Sequence, residues 1–152
     1  MNPAIDPKSN SDRELVISRV FDAPLPLVFK IWTQPEHIGR WWGPRGYTTL
    51  SCVMDLRPGG AWRVESRHAD GSETAEHGVF REIVEPERLV FTHAWESEYG
   101  NETLVTLTLA EHDGKTHMTF RQAPFASIDI RDSHAQGWNE SFDMLAEHLA
   151  NV

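Results

Sequence analysis

The sequence predicts an α+β domain in which an antiparallel sheet grips one long C-terminal helix, and three features carry that reading. Short runs of alternating apolar and polar residues recur from residue 14 to residue 122, as half-buried strands require. Gly, Pro, Asn and Asp cluster between successive runs, as hairpin connections require. Helical spacing is confined to two places, a short stretch after the first run and the C-terminal segment. At 152 residues the chain fits one domain. Residues 1–12, polar and carrying two prolines, are read as a flexible N-terminal tail, and 13–152 as the domain.

In order, ELVISRVF (Glu14 to Phe21) alternates and stops at Asp22-Ala23-Pro24, a half-buried strand ended by proline, with Asp22 expected to cap the next element. Leu25, Val28, Phe29 and Trp32 then recur at helical spacing, and a second short helix starts near Pro35 and is broken by Gly43-Pro44. Thr48 to Leu56 and Ala61 to Ser66 flank Arg57-Pro58-Gly59-Gly60 as a hairpin. Its inward rows are expected to be Leu50, Cys52, Met54 and Leu56 on one strand and Trp62 and Val64 on the other. HADGSETAEH (His68 to His77) reads as a solvated turn. Gly78 to Val84 and Leu89 to Glu96 form the next pair, with Leu89, Phe91, His93 and Trp95 on one face. Thr103 to Ala110 and Thr116 to Gln122 turn at Glu111-His112-Asp113-Gly114 and oppose Val105, Leu107 and Leu109 to Met118 and Phe120. Finally Trp138, Phe142, Leu145 and Leu149 form the apolar stripe of a helix from about Asp129 to Asn151.

Composition narrows the function classes. Asp and Glu outnumber Lys and Arg 23 to 14, a formal net charge of −9, and no basic cluster stands out, so a nucleic-acid partner is not expected. The single cysteine, Cys52, has no internal disulfide partner, which suits a reducing compartment, the cytoplasm by default. The first residues lack the basic start and apolar stretch of a signal peptide, and no apolar run approaches the roughly 18 residues of a membrane span.

Three motifs, FDAPLPLVFKIWTQPEHIGRWWGP (Phe21 to Pro44), DLRPGGAWRV (Asp55 to Val64) and GWNESFDMLAEHL (Gly137 to Leu149), resemble the subfamily of the START-like (SRPBCC) superfamily named for activators of the ATPase of the 90-kDa heat-shock chaperone, the Aha-type domain. The likeness runs from Glu14 to Asn151. It implies a helix-grip fold: a curved antiparallel sheet of six to seven strands wrapped around a long C-terminal helix, with two short helices after the first strand. It also implies a cavity between sheet and helix that in relatives accepts lipids, sterols, polyketides or other hydrophobic compounds. No shared catalytic constellation and no cofactor come with the resemblance, and a fold does not fix a function.

The residues themselves offer both structural and functional readings. Six tryptophans are dense for this length. Each can serve as core packing, or Trp62, Trp95 and Trp138 can line a ligand pocket. With them, Met54, Val64, Phe80, Phe91, His93, His134 and Phe142 complete the expected ligand-binding set. His93 stands in an apolar row, where a neutral imidazole needs a partner, and His134 lies one turn before Trp138 as a polar end to the cavity. Arg81 and Glu82 alternate across their strand, so either can face the ligand or both can form a surface ion pair. Eight histidines suggest metal, yet no ligand spacing supports it, and Cys52 on an apolar face suits an inert thiol. The leading expectation is a carrier or sensor of a small, largely hydrophobic molecule. An enzyme of cyclase or hydrolase type with His93 as base is the second class, and a chaperone-activating module ranks last. Self-association through sheet edges or through Trp41-Trp42 stays open.

Overall fold

A computed structural model describes residues 12–97 and 101–152, so the expected tail falls, except for Asp12, outside the described residues. Seven strands, β1 (Leu15–Phe21), β2 (Tyr47–Met54), β3 (Ala61–His68), β4 (Glu73–Val84), β5 (Arg88–Trp95), β6 (Thr103–His112) and β7 (Lys115–Ala123), form one sheet in the order β1-β7-β6-β5-β4-β3-β2. All neighbours pair antiparallel. Two short helices, α1 (Leu25–Thr33) and α2 (Pro35–Trp41), follow β1, and α3 (Ile128–Leu149) ends the chain. This is the helix-grip α+β architecture.

Local chemistry explains most of these elements. The β6–β7 hairpin closes on Asp113 (φ 53°) and Gly114 (φ 77°), the left-handed pair that a two-residue turn demands. In the β2–β3 connection Gly59 takes φ 85°, whereas Gly60 is needed for closeness: a Cβ there would stand 2.0 Å from the Asp55 carbonyl oxygen. The long helix is capped by Ser127, whose side chain accepts from the Ile130 N–H. Arg19 occupies an inward position of β1 and binds Asp143 at 2.9 Å and Asn139, which ties the edge strand to α3.

Three expectations need correction, and one open possibility closes. Asp22 does not cap α1; Pro24 holds the N-cap position with no side-chain bond, because Asp22 lies two residues too early to reach the first turn. Leu50 and Leu56 do not face the core. A bulge between Thr49 and Ser51 shifts the phase of β2, so Leu50 turns outward while Cys52 and Met54 keep the inner face, and Leu56 lies beyond the strand. The turn expected over His68 to His77 is far shorter: β3 runs to His68 and β4 begins at Glu73, so Glu76 is a strand residue and buried. Trp41 and Trp42 are 1% and 6% exposed, packed against Trp32 and Trp62, which removes them as a self-association surface.

The interior is filled mainly by rings. Trp32, Trp41, Phe120 and Phe142 pack under α1 and α2, with Trp32 and Trp41 edge to face at 4.7 Å. A polar thread crosses this core. The Trp138 indole donates to Gln122 Oε1 at 2.8 Å, the Gln122 amide donates to Thr103 Oγ1 at 2.9 Å, and the Thr103 hydroxyl donates to the His93 carbonyl. Each link satisfies a buried polar group and so fixes α3 in rotation against β5, β6 and β7.

Candidate functional site

Strand alternation brings the site together. Trp62, Val64 and Ser66 share the inner face of β3, and Thr74, Glu76, Gly78 and Phe80 that of β4; Phe91, His93 and Trp95 share that of β5. Register then sets neighbours: Trp62 opposes Gly78, Val64 opposes Glu76, and Glu76 opposes Trp95. Gly78 is required here because a Cβ would stand 2.6 Å from the Trp62 indole nitrogen and 1.7 Å from the Thr92 carbonyl oxygen. Its absence lets Trp62 donate to that carbonyl at 3.1 Å.

A cavity of about 190 Å³ opens where these strands meet the first half of α3 and the loop after α2. Trp42, Trp95 and Trp138 supply apolar wall, and Ser66, Glu76, His93 and His134 supply polar groups. The carboxylate of Glu76 is held at both oxygens. His93 Nε2 lies 2.7 Å from Oε1, and the Trp42 indole donates to Oε2 at 2.8 Å. Both residues of the pair are buried, His93 at 2% and Glu76 at 6% exposure, so their hydrogen bond is shielded from water. His93 Nδ1 has no hydrogen-bond partner among the described residues, and the Ser66 hydroxyl, also buried, has none.

His134 differs from His93. Its Nδ1 lies 2.8 Å from the Ile130 carbonyl oxygen, which can only accept, so Nδ1 carries the proton and Nε2 accepts from the Trp95 indole at 2.9 Å. Burial holds its pKa below the ordinary histidine value, reinforced by His93 and opposed by the Ile130 bond and Glu76. His134 is therefore a neutral imidazole with both nitrogens spent.

The ten residues expected to bind ligand divide three ways. His93, Trp95, His134 and Trp138 line the cavity. Met54, Trp62, Val64, Phe80 and Phe91 surround a separate remnant of about 20 Å³, because the tryptophans fill that part of the grip. Phe142 reaches neither space; it is fully buried between Trp32, Phe120 and Trp138. Arg81 and Glu82 both face outward, where Glu82 pairs with Arg88 at 2.8 Å. Burial pushes the Cys52 thiol up to about 11, which keeps it protonated and inert at neutral pH.

Sequence reasoning missed Glu76, Ser66 and Trp42. The signal for two of them was present: counting back by twos from Phe80 reaches Gly78 and Glu76, and counting forward from Trp62 reaches Ser66. An outer groove of about 300 Å³ beside Trp95 is lined by Arg63, Glu65 and Glu96, and there Arg63 is already paired with both carboxylates. Among the described residues no group of three or more His, Cys, Asp or Glu is placed to hold a metal ion, and no helix is long and apolar enough to cross a membrane.

A family model described as Activator of Hsp90 ATPase homolog 1-like protein matches residues 22–150. Among solved structures, a protein from Chromobacterium violaceum is 25% identical, with a TM-score of 0.82 over 90% of this chain and 96% of its own. One from Rhizobium leguminosarum is 26% identical, with a TM-score of 0.79 over 91% of this chain and 95% of its own. The AHSA1 protein of Silicibacter pomeroyi is 22% identical, with a TM-score of 0.80 over 90% of this chain and 97% of its own, a likeness of fold. No curated protein matches.

Proposed function

The chain belongs to the family of Activator of Hsp90 ATPase homolog 1-like proteins, and on that premise we propose that it binds a small, largely apolar molecule between sheet and C-terminal helix, as a carrier or sensor. The observation that carries this reading is the cavity of about 190 Å³ with tryptophan walls and buried polar groups. Its size limits the ligand. An apolar cavity of about 150 Å³ accepts benzene, whereas drug-sized ligands occupy about 300 Å³ or more. One ring with a small substituent fits inside it; because the cavity opens to solvent, a larger molecule would protrude.

Gly137 offers the test. It lines the cavity from the middle of α3, and a Cβ there would meet Pro44 Cγ at 3.4 Å, an ordinary contact. Gly137→Met should therefore leave the protein folded while its side chain occupies the ligand's space. Native mass spectrometry of the protein from its own host, with extraction of bound compounds, should give a single-ring molecule from the parent and none from the variant. Equal retention by both would sink the reading. The same spectrum tells monomer from homodimer. We assign the protein to the cytoplasm, since its one cysteine has no partner for an internal disulfide.

The Glu76–His93 pair supports a second reading, an enzyme in which His93 moves a proton on the bound molecule and Glu76 orients the ring. Turnover of an extracted ligand that survives His93→Gln would remove it. Activation of a chaperone ATPase, the activity in the family's description, ranks third; a stoichiometric complex with the chaperone in a pull-down would reverse that order.

A further inference from the structure

Resting on the binding reading above, we propose that the cavity selects a neutral single-ring molecule bearing a hydroxyl group, with His93 and Ser66 as the residues that read it. Glu76 has both oxygens engaged, by His93 and by the Trp42 indole. His134 has both nitrogens engaged, by Ile130 and by Trp95. Of the groups that line the cavity, the Ser66 hydroxyl is buried with no partner, and His93 Nδ1 makes no hydrogen bond among the described residues; Tyr47, Thr74, Ser133 and Ser141 line it as well.

Those two atoms decide the chemistry of the ligand. A serine hydroxyl both donates and accepts. His93 Nδ1 accepts when Nε2 carries the proton to Glu76 and donates when the ring is charged or the tautomer is reversed. A hydroxyl group, itself donor and acceptor, complements both atoms in every protonation state of the Glu76–His93 pair. A carboxylate only accepts, and among the described residues no Lys or Arg lines the cavity to neutralise it. A quaternary ammonium would suit the tryptophan walls by cation–π attraction, but it would leave Ser66 and His93 unpaired and finds the Glu76 oxygens already capped. The hydroxyl is the substituent that pairs with both open valences.

The experiment is a titration of the ¹⁵N-labelled protein with phenol, anisole, toluene, benzoate and phenyltrimethylammonium, following the indole N–H signals of Trp42, Trp95 and Trp138. Phenol is expected to bind about tenfold more tightly than toluene or anisole, the value of one hydrogen bond that the latter two cannot donate. Benzoate and the cation should leave the indole signals in place at the same concentrations. Ser66→Ala removes a polar atom that has no protein partner, so it should fold as the parent does. It should narrow the phenol-to-toluene preference several-fold. Equal affinity for phenol and toluene overturns the hydroxyl assignment and leaves an apolar-ligand cavity standing. Tightest binding of the cation overturns it in favour of an aromatic cage. Silence from all five probes removes this assignment and the binding reading together.

Discussion

The two ends of the grip use the same residue type in opposite ways. Under α1 and α2, Trp32 and Trp41 pack face and edge against Phe120 and Phe142, and the nearby remnant space is about 20 Å³. Beside the first half of α3, Trp42, Trp95 and Trp138 instead act as struts. Each indole N–H is bonded to a polar side chain, Glu76, His134 or Gln122, and between the rings a cavity of about 190 Å³ stays open. Indoles at the first end are spent on area, and those at the second on holding polar groups at fixed positions. Stability should therefore be concentrated at the first end and ligand recognition at the second.

The largest expected effect breaks the packed end. Trp41 is 1% exposed and its indole donates to the Ile31 carbonyl, so Trp41→Ala removes a full ring and leaves an acceptor unpaired. A loss of about 3–5 kcal/mol is expected by denaturant titration. Unchanged stability would mean that this end is not the anchor of the fold.

Next comes the strut end. Glu76→Leu leaves both the Trp42 N–H and His93 Nε2 without an acceptor in a buried site, which should cost about 3 kcal/mol. Glu76→Gln keeps an acceptor for Trp42 and offers an amide donor to His93, so it should recover most of that loss. Equal destabilisation by the two substitutions would show that charge, and not hydrogen bonding, holds the pair.

Much of this contrast was legible in the sequence, for reasons that also mark where it stops. Alternation placed Trp62, Phe91, His93 and Trp95 inward, and helical spacing placed Trp138 and Phe142, because burial against a single core imposes both periods. Pattern alone does not report which buried ring borders empty space. Phe142 and Trp138 sit one turn apart on the same stripe, yet only Trp138 reaches the cavity. Leu50 failed because a bulge inverts phase without a glycine or proline to announce it. Glu76 failed because a run of ten mostly polar residues imitates a turn, while its actual partner lies 17 positions away.

A smaller effect sharpens the contrast in the opposite direction. Glycine inside a helix costs about 0.5–1 kcal/mol relative to alanine, and Gly137 carries that cost at the cavity wall. Gly137→Ala, whose Cβ meets Pro44 at 3.4 Å, should raise stability by up to about 1 kcal/mol while narrowing the cavity. A fall in stability would mean that α3 and the loop carrying Pro44 are already in tight contact.

The smallest effect concerns acid. Because burial depresses the pKa of His134, the unfolded chain takes up a proton near pH 6.5 that the folded chain refuses until lower pH. The stability contributed by this group is present above the unfolded value and is lost as pH falls through it towards the folded one. His148, at the far end of α3 beside His37 and Arg40, is shifted in the same direction, but it is more exposed and its share is reduced by solvent. His134→Gln retains an acceptor for the Trp95 indole and removes the titration. It should lower Tm modestly at pH 7.5 and flatten the further decline between pH 7 and about pH 5. A decline as steep as the parent's would move the acid sensitivity to His148 and the α2–α3 contact, away from the cavity.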